Sequence, residues 1–333
     1  MKTMIKIIPA LLLLSGLAGC AYEDYIYDYD YSAVYFGAQR PLRTLVTREG
    51  SDYLEFKIGV ALGGLLENKK GYTAKFAIDP NIMTKVDTMA KNLTLLPPYC
   101  YTIENSDMTF VIPAGKFIGD CPVKINKAKF VALPGSLTNT YALPLRLLET
   151  TADSIPAGKD YTTIVIKYID EKSGYYYVRG TQTQLTGDVD FATPVGTVTT
   201  YNHVDLSQNR VRSLTTLSMM EFDMKGLGTL DVDPSERAKL ALANDGTVTI
   251  SQIAEDAITD MGGGSYNAAE KSFNLHYKFT KKYEIKDSKG VVIKTYYISW
   301  ECEDKLILRQ DVEKELRFEV WAEAPKEEPA PAE

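Results

Sequence analysis

The chain has 333 residues, 37 Lys and Arg against 44 Asp and Glu, a formal net charge of -7, and 45% hydrophobic residues. These proportions belong to a globular protein and exclude collagen-like, disordered and multi-span membrane chains. The acidic balance argues against a nucleic-acid partner, and 2 histidines leave little material for His-based catalysis or a His-rich metal site.

Lys2 and Lys6 precede an apolar run, Ile7 to Leu14, that ends in Ser15-Gly16-Leu17-Ala18-Gly19-Cys20. The run falls well short of the roughly 20 residues that span a bilayer and reads as the apolar region of a signal peptide. Leu17-Ala18-Gly19-Cys20 resembles the bacterial lipobox, in which the cysteine becomes the diacylated first residue. The expectation is a signal peptide over 1–19, lipidated Cys20, and anchoring by two or more acyl chains. Cleavage removes two lysines, so the charge moves from -7 to -9. Glu23 and Asp24, followed by the Tyr25–Tyr31 cluster, resemble the surface-export signal of Bacteroidota lipoproteins. The alternative is a solvated tether over 20–31 on the periplasmic side.

The remainder alternates apolar and polar residues with period two, as strands do. Leu54, Phe56, Ile58 and Val60 alternate with Glu55, Lys57 and Gly59; Phe117, Cys121, Val123 and Ile125 share one face; Tyr161–Tyr168 is rich in β-formers. Short strands between Gly, Pro and Asn turns predict a sandwich over 32–169. Asp170-Glu171-Lys172-Ser173-Gly174 reads as a polar hinge.

Beyond the hinge, strands are expected over Tyr175–Leu185, Thr197–Val204, Thr247–Ile250, Ser272–Thr280, Val291–Glu301 and Glu315–Ala322, with a hairpin turn at Asn244-Asp245-Gly246. Phe273, Leu275, Tyr277 and Phe279 face one way and Asn274, His276 and Lys278 the other. Gly262-Gly263-Gly264 reads as a flexible turn, and Asp231–Glu236 as a solvated loop without calcium-ligand spacing. A second antiparallel β domain over 175–322 follows, barrel-like and calycin-type or else a sandwich, with a disordered tail at 323–333. The whole is all-β.

Tyr22–Tyr25, Tyr35–Pro41, Gly59–Gly64, Phe110–Gly115, Asn139–Arg146 and Asp153–Ile155 with Gly158–Tyr161 are together similar to a Bacteroidota lipoprotein family, the domain of unknown function 1735. The resemblance implies an immunoglobulin-like β-sandwich in outer-membrane lipoproteins of glycan-utilisation systems, beside receptor–transporter complexes. Some relatives carry a glycosidase module; about 150 β-rich residues are too few for a catalytic (β/α) barrel.

Sugar binding needs flat apolar faces and hydrogen-bonding groups, which Trp and Tyr supply. If Glu315–Ala322 is a strand, Leu316, Phe318 and Val320 share its apolar face and Trp321 lies opposite, as a sugar platform or a cover for the interdomain seam. Trp300 falls on the Tyr296 and Ile298 face, as core unless a barrel holds a ligand cavity. Tyr297 takes the other face of that strand. Tyr175-Tyr176-Tyr177 must point both ways, which adds Tyr176 as a candidate, with filling of the domain junction as the alternative role. Cys100 and Cys121 could form a disulfide or serve as small buried hydrophobes, with Cys302 left as a buried thiol. No CxxC pair, G-x-S-x-G, HExxH, P-loop or G-x-G-x-x-G occurs, so no metal, cofactor or catalytic residue is assigned. The expected function is carbohydrate capture at the outer membrane, facing the exterior. An adhesin binding host protein or matrix is the alternative, and a glycosidase a third reading.

Overall fold

The computed structural model describes residues 31–186, 194–230, 236–253 and 262–323. The lipidation position Cys20, the tether before Tyr31, residues 231–235 of the acidic loop and the tail from 324 onward lie outside them.

Strands are numbered along the chain. Two sheets form an immunoglobulin-like sandwich. One is ordered β1 (Ala33–Tyr35), β3 (Tyr53–Gly63), β8 (Ile118–Asn126), β6 (Tyr101–Ile103). The other runs β20 (Glu319–Val320), β2 (Pro41–Thr47), β10 (Tyr161–Asp170), β9 (Tyr141–Thr150), β4 (Tyr72–Ile78), β7 (Thr109–Ile112), with the short β5 (Thr94–Leu95) pairing parallel with β9. The alternation in β3 is realised: Leu54, Phe56, Ile58 and Val60 are buried between the sheets, while Glu55 and Lys57 face water. Cys121, Val123 and Ile125 are buried beside them, but Phe117 is 39% exposed because β8 starts only at Ile118.

Of the two alternatives for Cys100 and Cys121, the structure shows buried thiols and no bridge, and all three described cysteines are free and buried. Strand register explains it. Tyr101, next to Cys100, pairs with Ile125, four residues beyond Cys121. At about 3.4 Å per residue that offset is about 14 Å, well beyond the roughly 7 Å limit for a disulfide. Burial raises the thiol pKa of Cys100, and that of Cys121 to about 11.

The second half closes on itself. β11 (Gly174–Gln184) pairs on one edge with β13 (Arg210–Ser218) and β12 (Val198–Tyr201), and on the other with β19 (Val292–Leu308). Between β13 and β19 lie β14 (Glu221–Lys225), β15 (Arg237–Leu242), β16 (Thr247–Gln252), β17 (Gly263–Asn267) and β18 (Ser272–Lys286). All but β12 therefore stand on one closed circuit, an antiparallel eight-stranded barrel. Such a barrel is just wide enough to be filled by side chains or to hold one small ligand. Inward-facing aromatic side chains, including Tyr176, Phe222, Phe273, Tyr277, Phe279 and Trp300, occupy this one.

The glycine triplet is not a turn. Gly263 and Gly264 begin β17, and a Cβ at Gly264 would lie 2.0 Å from the Asn274 carbonyl oxygen. The strand needs glycine because its neighbour's backbone approaches so closely. The Asn244–Gly246 turn does join β15 to β16, with Gly246 at φ 86°.

Asp170–Gly174, read from its polarity as a hinge, is a buried joint. Asp170, Lys172 and Ser173 are each at most 5% exposed. The Asp170 N–H donates to Thr216 Oγ1 (2.9 Å) and Thr47 Oγ1 to the Asp170 carboxylate (3.3 Å). Tyr176 donates to the Lys172 carbonyl (2.6 Å), so the linker is hydrogen-bonded to both β units. Burial raises the Asp170 pKa.

The chain then returns. After β19 a short helix, Val312–Glu315, intervenes, and β20 pairs antiparallel with β2 on the edge of the sandwich. The strand expected over Glu315–Ala322 is thus only two residues long; the Asp311 side chain accepts the Glu313 N–H and starts a helical turn in its place.

Candidate functional site

The four aromatic candidates do not converge. Trp321 is half-buried, its backbone N–H donates to the Arg40 carbonyl (3.0 Å), and its indole Nε1–H donates to the Thr163 carbonyl (2.8 Å). It packs on the cluster of Leu42, Met83, Ala90, Ala142 and Val165. It covers the seam, fastening the returning segment to the sandwich. Trp300 stacks on Phe279 with ring centroids 5.0 Å apart inside the filled barrel. Tyr176 is fully buried and its hydroxyl is spent on Lys172, so it faces no ligand. Tyr297 is 48% exposed, opposite Lys282 on the β18–β19 hairpin.

The fastened segment presents a different ring. Phe318, three residues before Trp321, is 67% exposed. The parity argument placed it on the apolar face of a strand; the helical turn at 312–315 removes that strand and sets Phe318 at the open mouth of the sandwich. Two adjoining grooves of about 310 and 270 Å³ lie there, sharing Gly37, Lys57, Ile58 and Gly59. Phe318, Arg43 and Thr162 line the first, and Ile118 and Asp120 the second. Phe36, Ile58 and Ile164, all core residues, form the floor. Gly37 adds no side chain, and nothing lies within 4 Å of where its Cβ would be.

The polar groups are few and placed around the apolar floor. Lys57 Nζ is 3.1 Å from Asp120 Oδ1 in an exposed ion pair across β3 and β8. Arg43 lies with its guanidinium carbon 5.8 Å from the Phe318 ring centre. Burial lowers the Arg43 pKa. An aromatic face, an aliphatic floor and hydrogen-bonding groups of both kinds can accept a pyranose ring: C–H groups against Phe318, hydroxyls to Lys57 and Asp120, while the buried Thr162 hydroxyl donates to the Ala38 carbonyl (2.8 Å). Sequence reasoning missed every one of these groups. The sequence signal toward them was the aromatic segment 316–321, in which Trp321 and not Phe318 was singled out.

A larger groove of about 570 Å³ lies on the outer wall of the barrel, among Arg179, Thr181, Asn274, His276, Glu303 and Lys305. It has no aromatic lining and so offers no stacking surface. Inside the barrel the Asp304 carboxylate accepts from Tyr201 (2.5 Å) and Tyr277 (2.7 Å) and stands 4.0 Å from Arg212. Burial raises the Asp304 pKa, against the opposing charge of Arg212. This cluster ties β12, β13, β18 and β19 together.

Residues 27–154 match a family model described as "-like, N-terminal domain". The fold is similar to that of a Bacteroides ovatus structural-genomics protein of unknown function, at 20% identity and a TM-score of 0.60, covering 84% of this chain and 95% of that one. Weaker likenesses are to a Bacteroides ovatus multidomain protein including DUF1735 (12% identity, TM-score 0.39, 83% and 94% covered) and to an auxiliary nutrient binding protein from Bacteroides thetaiotaomicron (12%, 0.38, 80% and 89%). No curated protein matches the chain. The likeness of fold rests on the first structure, and with the matched N-terminal domain it bears out the resemblance to Bacteroidota proteins of the domain-1735 type.

Proposed function

We propose that the protein captures oligo- or polysaccharide without cleaving it, as a lipid-anchored protein on the outward side of the outer membrane, and hands it to a receptor–transporter complex. The observation that carries the capture reading is the exposed Phe318 ring set over an apolar floor beside Arg43, Lys57 and Asp120. Glycoside hydrolysis needs two carboxyl groups about 5 to 9.5 Å apart. Among the described residues the groove lining contributes one, Asp120, and Lys57 is paired with it. The anchor reading rests on Leu17–Cys20.

Calorimetry of the protein against a polysaccharide panel tests capture: binding without released reducing sugar, lost in Phe318→Ala, is expected. Released sugar, or binding that ignores Phe318, would refute it. Cys20→Ala should abolish palmitate labelling and free the protein from membranes, and protease treatment of whole cells should degrade the unaltered protein.

A further inference from the structure

Arg43 is out of keeping with its position. It sits on β2 between Leu42 and Thr44, and its side chain points the same way as that of Leu45, which is 7% exposed in the sandwich core. The guanidinium is therefore directed between the sheets at their open edge. It is partly buried, and among the described residues no carboxylate, carbonyl or hydroxyl pairs with it; the Phe318 ring centre lies 5.8 Å away. Taking a cation partly out of water without a counter-ion is costly, and the protein does not supply one. The nearby acid in the groove, Asp120, is held by Lys57. Arginine also presents a planar fork of donors that fits a carboxylate or sulfate in two parallel hydrogen bonds.

We infer that the glycan held in the Phe318 groove is anionic, and that Arg43 binds its carboxylate or sulfate group while Phe318 covers the sugar face. The inference rests on the capture reading given above. It narrows the ligand to uronate-containing or sulfated polysaccharides. An inward-pointing charge can also serve only to keep a sheet edge from pairing with another chain, and the experiment separates the two roles.

The full chain is titrated by calorimetry with polygalacturonate, chondroitin sulfate, desulfated chondroitin, and neutral galactan and amylose, with Arg43→Gln, Arg43→Lys and Arg43→Leu in parallel. One anionic class should bind at least about tenfold tighter than the neutral polymers, and Arg43→Gln should abolish that advantage. Arg43→Lys should recover part of it. Polygalacturonate and desulfated chondroitin binding identifies the carboxylate as the anion; binding that needs the sulfated polymer identifies sulfate. Neutral glycans bound as tightly as anionic ones would overturn the inference and leave the capture reading standing. Anionic binding unaltered in Arg43→Leu, together with a raised Tm, would reduce Arg43 to edge protection. No binding to any polymer would overturn both.

Discussion

Trp321→Ala and Phe318→Ala should separate attachment of the returning segment from ligand binding, although the two rings are three residues apart. Trp321→Ala removes the indole hydrogen bond to the Thr163 carbonyl, about 1 kcal/mol. A fully enclosed aromatic side chain buries about 150–250 Å². The half-buried indole therefore loses about 100 Å² of contact, about 2.5 kcal/mol at 25 cal/mol/Å². The sum is about 3.5 kcal/mol, and β20 has only two residues to offset it. The undocked population of 316–321 should rise by about two to three orders of magnitude. Hydrogen exchange should therefore accelerate in that segment, while the barrel strands keep their protection. Phe318→Ala truncates a ring that is 67% exposed, so stability should stay within about 0.5 kcal/mol. Glycan affinity should nevertheless fall about thirtyfold, the loss typical of a stacking anchor worth about 2 kcal/mol. Unchanged exchange in Trp321→Ala, or full affinity in Phe318→Ala, would refute the assignment of the two rings.

Asp304→Ala leaves Arg212, whose side chain is 1% exposed, without its counter-charge, and should cost about 3–5 kcal/mol, lowering Tm by on the order of 10 °C in thermal unfolding. The Asp170 carboxyl titrates higher in the folded protein than in the unfolded chain because it is buried. Its protonated form thus favours the native joint, a contribution complete below the unfolded value near 3.8 and lost as pH rises through the folded value. The Tm-versus-pH curve of Asp170→Asn should lack that decline; parallel curves above pH 4 would contradict it. Thiol titration of the unfolded protein should find Cys100 and Cys121 reduced, and dithiothreitol should leave Tm unchanged.

Parity was legible where one face of a strand is sealed and the other wet. Phe273, Leu275, Tyr277 and Phe279 alternate with Asn274, His276 and Lys278 in sequence and in space, because a one-residue slip would turn four large side chains into water. The same argument failed at Trp321, since the helical turn at 312–315 cancels the strand whose parity was being counted. Gly263 and Gly264 were illegible as strand because their reason is the nearness of Asn274 in another strand, a tertiary fact. Arg43 escaped notice for a related cause. A single charge beside Leu42 looks like an ordinary outward residue until the edge of the sandwich shows which way it points.

The return of β20 makes the sandwich discontinuous in sequence, with the whole barrel threaded between β10 and its last edge strand. Trp321 meets Thr163 across 158 residues. A fragment cut at the joint would therefore keep most of the sandwich core but lack the ring that defines its groove. During synthesis the groove would be the final part assembled, present only after the barrel has been made. Different barrels could replace this one without disturbing the groove, provided that each delivers its exit strand to the same edge.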